Sequence, residues 1–461
     1  MKIALVLSQG IHYFYYDRVV RGLHAAGHEV CIVCPASFSE DGNKSGRALV
    51  KLLQDEVDVQ FEDALPRKKD IYFAELIRGL RDYANFVRPE HPTPHIAVGW
   101  VRKELSPKMM RLVQKPFIRS VLAGQMARRL LVFLESLIPP EEQIVAWLKK
   151  FQPQVVFVSP YVFTSYIETE YTKAARSLNI PVIASLLSWD NLTSKGTYKV
   201  KPDRLFVWNQ SLVEEAVQIH DFEAQQVFVT GAPVYDPWFE LTPAQDRASF
   251  CSQSGIDPSK PYVLYLCSSK GIAEREIELI HMLVDQFEKV EEDARPSILI
   301  RPHPFKEMDE AVIENEWVRV FPKGGQRPDT DEARSAYYDS LYYSAAVIGV
   351  NTTGFLESAI LDKPCLTVVT PQTSRGQEMR AHFKHLMDAG YIQVAKDFPE
   401  LVEMTMENIS GSDAGRENRA RFVRSFIRPH GLKVQASQVM TGAILAVAEG
   451  CAPEEWMRFH G

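Results

Sequence analysis

The chain has 461 residues, 46% of them hydrophobic and 24% charged, with a formal net charge of −7. That length exceeds one core and implies two domains of roughly 200 residues each. The composition is that of an ordinary globular protein, and no run approaches the ~20 apolar residues of a membrane span.

The apolar start, Met1 to Ser8, is too short for a secretory signal, so a cytoplasmic protein is expected. Ile3 to Leu7 reads as a buried strand, His12 to Ala26 as a helix stopped by Gly27, and Glu29 to Val33 as a second strand. This is the opening βαβ of a doubly wound domain. Cys31 and Cys34 have the spacing of a redox or metal pair but lie inside that strand with no second pair nearby. Together with Cys251, Cys267, Cys365 and Cys451 they read as reduced core residues. His12 follows the first strand, at the carboxyl edge where open parallel sheets bind ligands. An imidazole there suits a general base for an acceptor hydroxyl, and packing on the first helix is the alternative.

Residues from about 40 to 150 read as a mostly helical, basic insertion. Between Arg67 and Arg129 there are fourteen Lys and Arg against five Asp and Glu. From Arg102 onward these are interleaved with Phe117, Ile118, Val121, Leu122 and Met126. The pattern suits a helix lying on an anionic membrane surface, and equally a solvated face or an acidic partner. No nucleic-acid module accompanies the charge, so nucleic-acid binding is not expected.

Strand and helix alternation resumes at Val155, and Asp190 stands in a polar loop, Ser188 to Gly196, as a second candidate base or a carboxylate orienting His12. A crossover between domains is placed near residues 231 to 260. The second series opens at Tyr262 to Cys267, followed by Ser268, Ser269 and Lys270, hydroxyls and a cation before a helix expected near Ala273, a diphosphate-binding arrangement. Arg301 and His303 follow another strand, and Pro302 and Pro304 fix the backbone around the imidazole. Asp329 and Asp331 mimic a metal motif but read as solvated loop. Ala346 to Val350 is a buried strand ending in Asn351, Thr352, Thr353 and Gly354, a polar turn opening a short helix that carries Glu357. Such a turn can hold an anion, and the carboxylate can accept hydrogen bonds from ribose hydroxyls.

A Glu seven residues before a Pro, Glu357 and Pro364 here, behind a small polar turn, resembles the donor-binding half of GT-B glycosyltransferases and of UDP-N-acetylglucosamine 2-epimerases. Val20 to Val30 is similar to the start of GT-B first domains, and Val229 to Asp236 resembles the Thr-Gly-Asn-Pro phrase that ends them, with Ala232 in place of Asn. Ile300 to Pro304 resembles a segment of CDP-glycerol glycerophosphotransferases and of capsule transferases that use CMP-activated sugars. The resemblance implies an α/β GT-B fold of two Rossmann-like doubly wound domains facing a cleft. Residues 1–235 would form the acceptor domain, with the insertion at about 40–150. Residues 236–461 would form the donor domain, with the last helix packing back on the first.

It further implies a metal-independent transferase with no cofactor. The enzyme would move a sugar from a nucleotide-activated donor to a saccharide or lipid-linked hydroxyl acceptor, in surface polysaccharide or glycolipid synthesis. Glu357 would hold ribose. Ser268, Ser269, Lys270, Arg301, His303, Asn351, Thr352 and Thr353 would face the phosphates, with His303 alternatively a leaving-group acid, and His12 or Asp190 would take the acceptor proton. A CDP-polyol phosphotransferase, a sugar 2-epimerase and a non-catalytic nucleotide-sugar-binding scaffold are the alternatives.

Overall fold

The computed structural model describes residues 1–35, 59–92, 101, 105–161, 166–269, 272–273, 275–304, 314–326, 330–378 and 380–455. The chain forms two compact units, Met1–Asp236 with Ser425–Gly461, and Pro237–Arg424.

The first unit holds a seven-stranded sheet in the order β3-β2-β1-β4-β5-β6-β7. Its strands are β1 (Lys2–Leu7), β2 (Glu29–Cys34), β3 (Gln60–Asp63), β4 (Val155–Ser159), β5 (Val182–Ser185), β6 (Arg204–Val207) and β7 (Val227–Val229). All neighbours are parallel. β1 and β4 are almost wholly buried, as expected of strands covered on both faces. After β3 the chain crosses to the far side of β1, so the switch point lies between β1 and β4.

The second unit repeats the plan with six parallel strands in the order β10-β9-β8-β11-β12-β13. These are β8 (Tyr262–Leu266), β9 (Ser297–Arg301), β10 (Val318–Val320), β11 (Ala346–Gly349), β12 (Cys365–Val368) and β13 (Ile392–Ala395). Its switch point lies between β8 and β11.

The terminal helix Ala436–Ala448 places Val439, Met440, Ala443, Ile444 and Val447 in the core of the first unit. Asp236 fastens this segment: fully buried, it accepts from Arg428 (2.8 Å), from the Ala436 N–H (3.1 Å) and from the Ser437 N–H (2.7 Å). The carboxylate thus neutralises a buried guanidinium and satisfies two donors at the helix start. Gly231 has φ +82, and a Cβ there would stand 2.9 Å from that of Ala436, so only glycine lets the returning segment approach.

Three expectations are corrected. The stretch from 40 to 150 is not purely an insertion: Gln60–Asp63 pairs with β2, and its exposed, charged edge hid the alternation. His12 lies on a 3₁₀ helix, Gly10–Tyr15, with the first α-helix starting only at Asp17. The helix expected near Ala273 begins at Glu276. Residues 36–58 lie outside the described residues.

The basic insertion splits in two. Arg67, Arg78, Arg81 and Arg88 point inward: Arg78 pairs with Glu135 (3.0 Å) and Glu170 (2.6 Å), and Arg67 with Glu170 (3.1 Å). Arg81 and Arg88 donate to backbone carbonyls at Tyr198 and Ile219. The charge of Arg67 and Arg78 is therefore neutralised by carboxylates inside the protein. The three helices Pro107–Val113, Pro116–Ala123 and Gln125–Leu137 are different, carrying exposed Phe117, Val121, Met126, Leu130 and Phe133 beside exposed Lys108, Arg111, Lys115, Arg119 and Arg129.

Cys31 and Cys34 are both buried. Three residues apart on one strand, they face opposite sides of the sheet, which suits core residues rather than a joint site.

Candidate functional site

In the second unit the expected residues gather at the β8/β11 switch point. The Asn351 N–H donates to Ser268 Oγ at 3.3 Å, and Asn351 Nδ2 donates to Gly376 O at 2.8 Å. The Ser268 N–H in turn donates to Glu276 Oε1 at 2.7 Å. Loops after β8, β11 and β12 are thereby joined. Ser269 shapes the first of them by accepting from the N–H groups of Ile272 and Ala273. Lys270 lies outside the described residues.

Arg301, the last residue of β9, is only 6% exposed. Its guanidinium stacks on the Tyr337 ring, 4.9 Å from the centroid, and reaches Ala336 O at 3.5 Å. No carboxylate pairs with it among the described residues, and burial pushes its pKa down to about 10. A desolvated cation without a counter-ion is costly and receptive to an anion. His303 follows at the same edge, half-buried.

Glu357 sits in the helix Gly354–Ile360. Its Oε2 is shut off from solvent with no hydrogen-bond partner among the described residues, and burial drives its pKa up to about 8. The Tyr337 phenol, pushed well up by burial and by Glu357, is partly relieved by Arg301, so all three share one electrostatic neighbourhood. Gly354 closes it: a Cβ there would fall 2.3 Å from Leu266 Cδ1 and 3.0 Å from the Tyr337 hydroxyl.

The helix dipole contributes little at this turn. The helix has seven residues, and Thr353 at its N-cap makes no side-chain capping bond, whereas Thr352 Oγ1 accepts from the Gly354 N–H at 3.2 Å. Side-chain charge, above all Arg301, has to supply most of any phosphate affinity. Thr353 itself is exposed. Asp331, of the metal-like pair, is exposed and bound to Arg334 at 2.5 Å, while Asp329 lies outside the described residues.

Sequence reasoning missed Tyr337, Glu276 and Gln377. Gln377 is fully buried, donating to Val350 O (2.8 Å) and Thr367 Oγ1 (2.6 Å), and its Oε1 has no hydrogen-bond partner among the described residues. The loop after β12 stands at the same carboxyl edge, so the positional rule that found Asn351 applies to it. Tyr337 is on a helix and carried no such signal.

In the first unit, the loop after β1 and the end of β4 are joined at the switch point. The Ser8 N–H donates to Ser159 O (3.2 Å), and the hydroxyls of Tyr16 and Ser159 are 2.6 Å apart. His12 Nδ1 lies 3.0 Å from Ser8 Oγ, and burial holds the imidazole down to about 4, keeping it neutral. Asp190 is tied locally: it accepts from Ser194 Oγ (2.7 Å), pairs with Lys195 (3.5 Å) and meets Asn191 Nδ2 (3.4 Å). A carboxylate so engaged holds the short helix Asn191–Ser194 in place, which makes it a weaker candidate base than His12.

No protein-family model matches the sequence, and no curated protein matches it. Solved structures do. S. aureus MnaA, in a structure with UDP, is similar with a TM-score of 0.55 at 10% identity, covering 97% of each chain. The UDP-GlcNAc 2-epimerase of Neisseria meningitidis, bound to UDP-GlcNAc, has a TM-score of 0.52 at 12% identity, covering 96% of this chain and 100% of that one. A glycosyltransferase from Rickettsia africae has a TM-score of 0.51 at 12% identity, covering 96% and 98%. With two parallel doubly wound sheets and neighbours spanning nearly its whole length, the chain has the GT-B fold common to glycosyltransferases and UDP-GlcNAc 2-epimerases.

Proposed function

We propose that the protein is a nucleotide-sugar enzyme, a metal-independent glycosyltransferase that binds its donor in the second unit and moves the sugar to a hydroxyl acceptor. The observation that carries this is one sheet edge holding a buried guanidinium without a carboxylate partner among the described residues, Arg301, and a half-buried carboxyl, Glu357, whose Oε2 is shut off from solvent and unmatched. A nucleoside diphosphate offers an anion for the first and ribose hydroxyls for the second. Similar structures solved with UDP and with UDP-GlcNAc support that ligand class.

In this reading Glu357 holds ribose, and Arg301, Ser268, Ser269, Asn351, Thr352, Thr353 and His303 face the phosphates. The acceptor oxygen bonds to the anomeric carbon as the bond to phosphate breaks, its electron pair leaving with the phosphate. His12 takes the acceptor proton, Asp190 serving as a positioning residue. Stabilising the departing phosphate charge and orienting the acceptor supply the rate.

The acceptor is proposed to be a saccharide or a lipid-linked glycan of surface polysaccharide or glycolipid synthesis. The exposed apolar and basic helices 107–137 support contact with an anionic membrane surface. Among the described residues no helix is long and apolar enough to cross a membrane.

The test is turnover of a panel of nucleotide sugars with and without acceptor glycans. Acceptor-dependent release of a nucleoside diphosphate, cut roughly 10²–10⁴-fold in His12→Ala with donor affinity retained, supports the transferase. Release of CMP from a CDP-polyol would replace it with the phosphotransferase, epimerised donor without acceptor with the epimerase, and no turnover with donor still bound with the scaffold.

A further inference from the structure

The first unit contains a half-open cavity rimmed by charged side chains, away from the carboxyl edge of its sheet. It offers about 540 Å³ among the helices Ile71–Phe86, Gln125–Leu137 and Gln210–His220 and the connection Thr197–Lys201. Lys199 to Lys201 lead into the start of β6, Arg176 ends the helix that leads into β5, and His220 ends the helix that leads into β7. Starts of parallel strands share the edge opposite the one where substrates of such sheets bind.

Six cations line the cavity, Arg81, Arg128, Lys173, Arg176, Lys199 and Lys201, against two carboxylates, Glu135 and Asp221. Lys173 is matched by Glu135 at 2.9 Å, Arg176 by Asp203 at 3.7 Å, and Lys199 by Asp82. Three lining cations remain. Arg81 donates to the carbonyls of Tyr198 and Lys199 and has no ion-pair partner among the described residues, and burial lowers its pKa. Lys201 donates to the Asp221 carbonyl. Arg128 shares the Asp221 carboxylate, at 4.0 Å, with Arg88 at 3.8 Å. The last turns of the helices Ile71–Phe86, Gln125–Leu137, Ile167–Ser177 and Gln210–His220 all reach the lining and add about two negative charges. The remaining excess, about one positive charge, suits an anion such as a phosphate monoester.

The polar atoms point the same way. Asn85 and Arg128 line the cavity, and Asn85 Nδ2 and Arg128 Nε are buried donors with no hydrogen-bond partner among the described residues; Asn85 is only 6% exposed. A buried donor left without an acceptor is unfavourable until one arrives. His220, also 6% exposed, directs Nε2 at Leu192 O (2.8 Å), so Nε2 carries the proton and Nδ1 presents a lone pair. Nδ1 has no hydrogen-bond partner among the described residues and fits a ligand hydroxyl. Ala84, Leu131, Val132 and Ile219 complete the lining and suit the carbon part of an organic phosphate.

We propose that this cavity is a binding site for an organic phosphate monoester, held by Arg81, Arg128, Lys201 and Asn85, and separate from the donor site. The phosphate could belong to a free metabolite or to a lipid headgroup.

The test is calorimetric titration of the full chain with glycerol 3-phosphate, against chloride at matched ionic strength, and with vesicles containing phosphatidic acid. Arg128→Gln, Lys201→Gln and Glu357→Ala are titrated alongside. The first two residues are partly exposed, and unchanged melting temperatures without ligand show that the variants fold. Binding weakened about tenfold or more in each of those two, and unchanged in Glu357→Ala, is the expected result. Binding of glycerol 3-phosphate would identify a free metabolite, and binding of the vesicles alone, persisting in Phe117→Glu with Met126→Glu, a headgroup. No binding of either probe, binding indifferent to Arg128 and Lys201, or binding lost in Glu357→Ala would overturn the proposal.

Discussion

Ser268 Oγ accepts a hydrogen bond from the Asn351 N–H at 3.3 Å, across the point where the second sheet reverses its strand order. The same Asn351 holds Gly376 through its side chain, so one residue fixes three loops at the edge where Arg301 and Glu357 stand. A site supported in this way is pre-organised before any ligand binds.

Arg301 should show opposite effects on stability and binding. Its guanidinium is buried without a carboxylate partner, so Arg301→Gln should leave the melting temperature unchanged or raise it. Losing charged hydrogen bonds to phosphate should meanwhile weaken nucleotide binding about 10–100-fold. Paired melting and titration measurements check both signs.

Glu357 gives a pH signature. Its carboxyl is raised from 4.5 to about 8, so between those values the folded protein holds a proton that the unfolded chain has lost, and stability falls as pH rises. Glu357→Gln removes that slope. The variant should match wild type near pH 4.5 and melt a few degrees higher near pH 8. A nucleotide whose ribose hydroxyls favour the ionised carboxylate should release a proton on binding, seen as buffer-dependent heat.

Acid should attack the first unit. Burial holds His12 and His220 down to about 4 and His91 to about 3. Below pH 6.5 the unfolded chain takes up protons that these imidazoles refuse, so stability is present above that pH and is lost as pH falls toward 4. Hydrogen exchange should show the first sheet opening before the second as pH falls through this window.

The exposed apolar helices predict membrane binding that is both apolar and electrostatic. Phe117 and Met126 are 80% and 85% exposed. Phe117→Glu with Met126→Glu should abolish co-sedimentation with anionic vesicles while leaving the melting temperature within a degree or so, because neither side chain is packed. Neutral vesicles should bind wild type more weakly than anionic ones.

The two sheets were legible because parallel strands are near-continuous apolar runs: Lys2–Leu7, Val155–Ser159 and Tyr262–Leu266 read directly. Gln60–Asp63 was not, because an edge strand exposes charge. The residues proposed to hold the donor were picked out by their place after strands, which is a property of sequence order. Their coupling was not, because Tyr337 reaches Arg301 from a separate helix. The basic stretch misled for the same reason: a count of Arg67 to Arg129 cannot show that Arg67 and Arg78 meet Glu170 in the interior.

The central claim, a nucleotide site at the β8/β11 switch point, is tested most directly by a thermal-shift screen against UDP, GDP, ADP, CDP, CMP and dTDP, repeated with Glu357→Ala and Arg301→Gln. A ligand at 100 times its dissociation constant stabilises by about 2.7 kcal/mol, a shift of a few degrees. Selective stabilisation by one nucleotide, lost in both variants, is the expected result. No shift with any nucleotide, or a shift that survives both substitutions, would contradict it.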